Sequence, residues 1–282
     1  MELSRRRFAR LAGTAALTGH HLRGQQAPLT AQQVIDRIQK GAGINPGAIK
    51  AGDPATQVTG IATAAMATMG VLSRAAKDKA NLVITMEPAF FGRLDAALAD
   101  DPVYAAKQEF IQKNGIVIWR FNDYWRNRQP DPLAMGLAQT LAWTKYRVAD
   151  DYTRYDLPAM PLAALAGELA KRLSARAGIR AVGDPQTTVR RIGLLPGSSA
   201  LAATMKKLPD CDVVIAGETR EWESVEYAQD TVASGQKKGF IMLGRVLSEE
   251  PGMNFCTDWL KTLVPEVPVR WLPAGDPYWR PA

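Results

Sequence analysis

The chain has 282 residues, of which 46% are hydrophobic and 22% are charged, and its formal net charge is +7. This is a globular composition, long enough for one large or two modest cores, and no apolar run approaches the roughly 20 residues of a membrane span. Residues 1–24 carry +4 of the charge, which leaves +3 for the rest, and no basic stripe with interleaved aromatics lies there, so we expect no nucleic-acid partner.

The N-terminus is typical of an export signal. Residues 4–8 (SRRRF) resemble the twin-arginine signature, and a short, weakly apolar segment follows them. We therefore predict that residues 1–24 are a twin-arginine-type signal peptide and that the folded protein is exported to the periplasm. The alternative is a disordered basic tail on a cytoplasmic protein.

Histidine and cysteine are scarce in the chain. Both histidines, His20 and His21, lie in the predicted leader, so the remainder lacks the commonest zinc ligand and the commonest general base. Cys211 and Cys256 are too few for a zinc cluster or a disulfide framework. They would either pair in an oxidising compartment or remain free thiols in the core.

Strands and helices alternate along the rest of the chain. A capping box at residues 30–33 (TAQQ) opens the first helix, and Asp101 can cap another helix that has Pro102 at its first position. Further helices are predicted at residues 66–79, 132–143, 161–177, 198–208, 222–234 and 251–263. Strands are predicted at residues 58–62, 82–85, 115–121, 152–157, 189–195, 213–216, 239–243 and 267–271. This alternation predicts an α/β fold with parallel neighbours.

An internal repeat divides the chain into two halves. Residues 52–61 (GDPATQVTGI) align with residues 183–192 (GDPQTTVRRI), an offset of 131, and six of the ten positions are identical. Without a gap, the same offset places Glu87 on Glu218. We therefore predict two homologous α/β lobes, at residues 30–150 and 151–282.

Acidic residues follow several predicted strands. Glu87, Asp123, Glu218 and Glu249 each come soon after a strand ends. In open α/β sheets ligands bind beyond the carboxyl ends of the strands, so these acids could meet at one site. Each acid alone is also an ordinary loop residue or helix cap. The prediction of a site therefore rests on the four acids together and not on any single one.

The motifs resemble the Nif-three-like dinuclear metal centre family, also called GTP cyclohydrolase I type 2-like. The resemblance rests on residues 52–63 (GDPATQVTGIAT), 81–88 (NLVITMEP), 119–123 (WRFND), 212–218 (DVVIAGE) and 243–249 (LGRVLSE). It implies two α/β lobes that face each other across a cleft, a pair of divalent metals between them, and assembly into toroidal hexamers.

The family's metal ligands are only partly present. By resemblance, the ligand positions fall on Glu87, Asp123 and Glu249, while Met86 and Arg245 occupy positions where the family has histidine. Three carboxylates without imidazole suit Mg²⁺ or Mn²⁺ better than zinc or iron. A guanidinium has no lone pair to donate, and it pairs with carboxylates. We therefore expect Arg245 to stand in for at least one ion; a retained single-ion site or a complete two-ion site are the alternatives.

Two functions remain open at this point. One is a non-catalytic or weakly metal-binding oligomeric protein; the other is a metal-dependent hydrolase or cyclohydrolase that acts on a small phosphorylated or heterocyclic substrate. Trp125 with Arg120, Arg126 and Arg128 could line a cleft for an anionic small molecule. Such a cluster is also typical of a solvated loop or a subunit contact.

Overall fold

A computed structural model describes residues 28–42, 48–92, 95, 98 and 100–281. In these residues the chain forms a mixed α/β fold with two sheets and nine α-helices, so the predicted α/β class is confirmed. None of these helices is long and apolar enough to cross a membrane. The predicted signal peptide lies outside the described residues.

Helices and strands are numbered here in chain order. The helices are α1 (Ala31–Ala42), α2 (Met69–Lys77), α3 (Pro102–Lys113), α4 (Asn122–Asn127), α5 (Pro132–Thr140), α6 (Leu162–Arg172), α7 (Leu201–Lys207), α8 (Glu226–Ala233) and α9 (Arg245–Leu263). The strands are β1 (Ile49–Ala51), β2 (Ile61–Ala64), β3 (Leu82–Thr85), β4 (Val117–Arg120), β5 (Arg147–Val148), β6 (Asp151–Pro161), β7 (Arg180–Val182), β8 (Thr188–Ser198), β9 (Val213–Glu218), β10 (Gly239–Met242) and β11 (Val269–Trp271).

The first sheet has five strands in the order β1-β4-β3-β2-β11. Strands β4, β3, β2 and β11 run parallel to their neighbours, and β1 is antiparallel to β4. All four residues of β2 and of β3 are buried. Parallel strands that are covered on both faces have continuous apolar sequences, which explains why the LVIT segment of β3 does not alternate.

The second sheet has six strands in the order β5-β6-β8-β9-β10-β7. Strands β8, β9 and β10 are parallel, while β7 is antiparallel to β10 and β6 is antiparallel to β8. The four strands β7-β10-β9-β8 therefore have the same order and directions as β1-β4-β3-β2 in the first sheet.

Equivalent hydrogen bonds join the repeated segment to a helix in each half. The N–H of Ala31 donates to the carbonyl of Thr56 at 2.8 Å. The N–H of Leu162 donates to the carbonyl of Thr187 at 2.9 Å. Donors and acceptors both differ by the 131 residues of the sequence repeat. The two segments thus fix the starts of α1 and α6 in the same way.

The sheets do not divide the chain at residue 150. The last strand, β11, pairs with β2 of the first sheet, and β5 pairs with β6 of the second sheet. Helix α9 contacts β2 and β11 of the first sheet and β8 and β9 of the second sheet. The division into residues 30–150 and 151–282 stays a prediction. Strand β5 of the first predicted lobe belongs to the second sheet, and strand β11 of the second predicted lobe belongs to the first sheet.

The helix starts follow the predicted caps in two places and differ in a third. Thr30 and Gln33 form the capping box, with N–H to side-chain hydrogen bonds of 2.9 and 3.2 Å, and Asp101 accepts the N–H of Tyr104 at 2.7 Å. The prediction that the last helix starts at residue 251 is wrong. Helix α9 starts at Arg245 and contains Pro251 in its interior, where the helix is packed tightly enough to tolerate the missing hydrogen bond.

Helices α5 and α9 approach closely at two glycines. A Cβ added at Gly136 would lie 2.7 Å from the Cα of Gly252, and it would also meet the carbonyl oxygen of Pro251. No side chain fits there because the obstacle is backbone, which cannot rotate away. Cys211 and Cys256 are both buried and unpaired.

Gly136→Ala should therefore lower the free energy of unfolding by about 1–3 kcal/mol, the usual cost of overpacking a core. Gly167 in α6 is the matched control, since a Cβ there meets nothing within 4 Å. Gly167→Ala should raise the free energy of unfolding by about 0.5–1 kcal/mol. Urea denaturation followed by circular dichroism measures both. Equal effects of the two substitutions would show that the close approach of α5 and α9 is wrong.

Candidate functional site

A cavity of about 1140 Å³ lies at the carboxyl ends of strands from both sheets. Its wall includes the segment 66–69 after β2, Glu87 after β3, and Asn122 after β4. The second sheet contributes Ser198 at the end of β8 and Glu218 at the end of β9. This is the edge at which α/β sheets bind ligands.

Arg245 contacts three carboxylates at the base of this cavity. Its Nη2 lies 2.7 Å from Glu87 Oε1. Its Nη1 lies 3.5 Å from Glu218 Oε2, and its Nε lies 3.3 Å from Glu249 Oε1. We call these four residues the Arg245 cluster. Two of its acids, Glu87 and Glu218, are the pair that the sequence repeat aligns.

Strand ends and one helix start position the Arg245 cluster. Glu87 follows β3, and Glu218 is the last residue of β9. Arg245 and Glu249 are one turn apart in α9, so their side chains share a face of that helix. Gly244, just before α9, has a φ of 82°, which lets the chain turn sharply from β10 into the helix.

Glu249 is fully buried beneath the cavity. Neither of its side-chain oxygens has a hydrogen-bond partner among the described residues, and its other neighbouring cation, Arg126, is 3.9 Å away. Burial raises the pKa of the Glu249 carboxyl, and the nearby charge of Glu87 adds to the shift. Arg245 and Arg126 oppose it. The protonated form of this acid is therefore favoured well above its usual pH range.

Gly197 allows the second sheet to approach Glu249. Its φ is 72°, and a Cβ at this position would lie 2.8 Å from Glu249 Oε1. Its N–H donates to Ser248 Oγ at 3.0 Å. A larger residue at position 197 would therefore push β8 away from α9.

Arg245 remains a cation in this setting. Burial lowers its pKa, but the hydrogen bond to Glu87 and the charges of Glu249, Glu87 and Glu218 together raise it above the ordinary value. Asn122 helps to hold Glu87 in place. Its side-chain amide donates to Glu87 Oε1 at 3.3 Å and to the carbonyl of Met86 at 2.9 Å. The cluster is held together by charge and by the amide of Asn122.

Comparison with known families identifies this architecture. The family model of Duf34/NIF3 (NGG1p interacting factor 3) matches residues 35–270. The chain belongs to the Duf34/NIF3 family. The resemblance inferred from the sequence motifs is confirmed. No curated protein matches the sequence.

Solved structures of the NIF3 type share the fold. Staphylococcus aureus protein SA1388 has a TM-score of 0.69 at 15% identity, over 90% of this chain and 100% of that chain. A Bacillus cereus protein related to NIF3 has a TM-score of 0.66 at 14% identity, over 90% and 99%. The protein TTHA1606 from Thermus thermophilus has a TM-score of 0.63 at 16% identity, over 86% and 98%. At such low identities the likeness shows the fold alone.

In this NIF3-family chain, the predicted ligand residues lie in different surroundings. Glu87 and Glu249 both contact Arg245. Glu249 lies inside α9, because that helix starts at Arg245, six residues before the predicted start at residue 251. Asp123 is the second residue of α4, but its side chain lies outside the described part of the structure. Met86 is fully buried in the hydrophobic core and does not belong to the cavity wall.

Of the four residues that the sequence suggested for an anion cleft, two belong to the cavity wall and two do not. Arg120 and Arg126 line the cavity, and Arg126 also donates to the carbonyl of Ser198 at 3.0 Å. Trp125, however, is fully buried and donates its indole N–H to the carbonyl of Gly252 at 3.2 Å. Arg128 lies over Trp259, 4.8 Å from the ring centroid, outside the cavity wall.

Sequence reasoning missed Lys107, which lines the cavity from α3. It is 5% exposed, an unusual burial for a lysine. Helix α3 has a weak amphipathic pattern, which does not show the face that it buries. The one available signal was the spacing of Val103 and Lys107 by one helical turn, which places both on the same face.

Arg245→Met should lower the free energy of unfolding by about 3 kcal/mol, because it leaves buried carboxylates without their cation. Arg180→Met is the matched control. Arg180 pairs with Glu221 at 2.7 Å, but both side chains are largely exposed, at 72% and 67%. That loss should stay below about 1 kcal/mol. Urea denaturation measures both, and equal losses would contradict a central role of Arg245 in the cluster.

Proposed function

We propose that this protein is a NIF3-family binding protein in which the Arg245 guanidinium takes the place of a metal ion, and whose cavity binds an anionic small molecule without metal chemistry. One observation carries the proposal: Arg245 lies within 3.5 Å of carboxylate oxygens from Glu87, Glu218 and Glu249. These acids come from both sheets and from α9. A guanidinium in their midst supplies the positive charge that an ion would supply.

The donor set of the site also favours this interpretation. The oxygens that face Arg245, Oε1 of Glu87 and Oε1 of Glu249, are those that an ion at the same place would need. Among the side chains that the structure describes, no group of three His, Cys, Asp or Glu is placed to hold a metal. As arranged, the cluster does not fit a divalent ion unless Arg245 moves away.

The charge of the cavity supports an anionic ligand. In the described part of its wall, the cationic residues outnumber the acidic ones: Lys107, Arg120, Arg126 and Arg245 against Glu87 and Glu218. Arginine forms paired hydrogen bonds with carboxylate and phosphate groups. The surplus positive charge lies at the carboxyl ends of the strands, where α/β sheets bind ligands.

Elemental analysis tests the replacement of the metal. Protein purified without chelator, and the same protein after incubation with Mn²⁺ or Mg²⁺ and gel filtration, should contain well under one divalent ion per chain. Two ions per chain would refute the proposal directly.

A substitution tests the role of Arg245 from the other side. Arg245→His removes the guanidinium and adds an imidazole beside three carboxylates, so we expect about one Mn²⁺ per chain to bind. Arg245→Leu is the control that removes the cation but adds no ligand. Equal metal content in both variants and the wild type would show that position 245 does not govern metal binding.

The second candidate is a metal-dependent hydrolase or cyclohydrolase for a small phosphorylated or heterocyclic substrate. The observation that favours it is Glu249, whose two buried oxygens have no hydrogen-bond partner among the described residues. Such an acid is suited to a cation such as Mg²⁺ or Mn²⁺. Glu218 would then be the base, since no histidine occurs after residue 21. One tightly bound ion per wild-type chain would favour this candidate.

We further propose that the two halves arose by duplication and that the lobes face each other across the cavity. The equal strand order in the two sheets supports duplication, as do the equivalent hydrogen bonds that start α1 and α6. The cavity wall supports the facing arrangement because both sheets contribute to it.

Assembly and export are also proposals. Family membership supports a homo-oligomer, with a hexamer as the expected form. Residues 4–8 support export through the twin-arginine pathway. Light scattering should give six times the chain mass of 30.7 kDa, less any removed leader. Replacing Arg5 and Arg6 by lysine should keep the protein in the cytoplasm. A monomer in light scattering would contradict the hexamer, and unchanged export of the lysine variant would contradict the twin-arginine pathway.

A further inference from the structure

Lys107 is a buried amine in the wall of the cavity. It lies in α3 and is only 5% exposed, yet it borders the 1140 Å³ space together with Ala89 and Val103. Lysine is rarely buried without a paired acid, because removing the ammonium from water is costly. The positive charge of the cavity wall does not explain this burial, because an exposed lysine would supply the same charge.

Among the described residues, the amine is surrounded mainly by aromatic rings and backbone. Its Nζ lies 5.4 Å from the ring centroids of both Phe90 and Phe91, and it donates a hydrogen bond to the carbonyl of Ala89. Burial lowers the pKa of Lys107 to about 8, although the charge of Asp95 acts in the opposite direction. Asp95 in turn lies 3.7 Å from Lys50, which weakens its effect on Lys107.

A lysine in this state is a nucleophile near neutral pH. With a pKa of about 8, a much larger share of the Lys107 side chains carries a free amine near neutral pH than at the ordinary value of 10.5. Desolvation in an apolar pocket is one of the ways in which enzymes activate lysine towards carbonyl groups.

We infer that Lys107 is a carbonyl-binding residue, whose Nζ forms a reversible imine with an aldehyde or ketone that enters the cavity. The free amine attacks the carbonyl carbon and forms a C–N bond. The carbonyl oxygen then leaves with the two amine hydrogens as one molecule of water, and a C=N bond remains. The step needs no oxidant and no reductant.

The cavity also indicates which carbonyl compounds fit. The wall that Lys107 shares has apolar side chains, Met69, Phe91 and Val103, and Arg126 supplies positive charge. A carbonyl compound with an apolar body and a carboxylate or phosphate matches this wall. Among the described residues, the other charged groups of the wall are Glu87, Glu218, Arg120 and Arg245. This part of the inference rests on the proposed anionic ligand.

Pyridoxal 5′-phosphate with borohydride reduction is a suitable probe, since it joins an aldehyde, an aromatic ring and a phosphate. Borohydride delivers hydride to the imine carbon and thereby fixes the adduct as a secondary amine. Peptide mass spectrometry of the full chain then locates the label. We expect Lys107 to be labelled at least about tenfold faster at pH 7.5 than Lys113, which lies exposed on the same helix.

The pH dependence gives a second readout. Labelling of Lys107 should rise as the pH passes through about 8, because the folded-state pKa is lowered and the amine loses its proton there. Lys107→Arg should lose the fast label, and Lys113→Arg should keep it. Equal labelling of Lys107 and Lys113 in the wild type would overturn the inference, whether or not the Lys107 variant folds.

Two further outcomes separate this inference from the proposed function. If pyridoxal labels Lys107 as fast as its phosphate ester does, the amine is reactive but the cavity does not select an anion. If the chain contains stoichiometric metal while Lys107 is still labelled fast, the replacement of the metal by Arg245 is wrong and the carbonyl site stands. Slow labelling of metal-free protein would refute the carbonyl site and leave the replacement of the metal standing.

Discussion

The structure depends on the buried carboxylate of Glu249. Glu249 is fully buried, and the cations that offset it are Arg245 at 3.3 Å and Arg126 at 3.9 Å. These cations only partly offset the burial and the charge of Glu87, so the pKa of Glu249 is still raised to about 8. Without them the anion would be costlier still. This requirement links α9, the ends of β3 and β9, and the segment around Arg126 into one unit.

The backbone around this acid is shaped to satisfy it. Gly197 and Gly217 allow β8 and β9 to approach α9 where a side chain would collide with Glu249 or with Ser248. Helix α9 itself packs against strands of both sheets. The Arg245 cluster is therefore located by the same contacts that hold the two halves of the fold together.

The consequence for function is a cavity with separate regions. Its base holds the Arg245 cluster, in which opposite charges are paired, and one side holds a lysine among phenylalanines. Paired charges at the base stabilise the fold. The proposed functions use these two regions separately: the charged base in place of a metal ion, and the lysine as a carbonyl-binding amine.

The fold class, the internal repeat and two helix caps followed from the sequence, because periodicity, capping and spacing are local properties. The absence of histidine after residue 21 did so as well. Tertiary structure decided that Met86 packs in the core, that α9 starts at Arg245, and that Lys107 reaches the cavity. The contact between Glu87 and Arg245 joins residues 158 positions apart, and only packing brings such residues within hydrogen-bond distance.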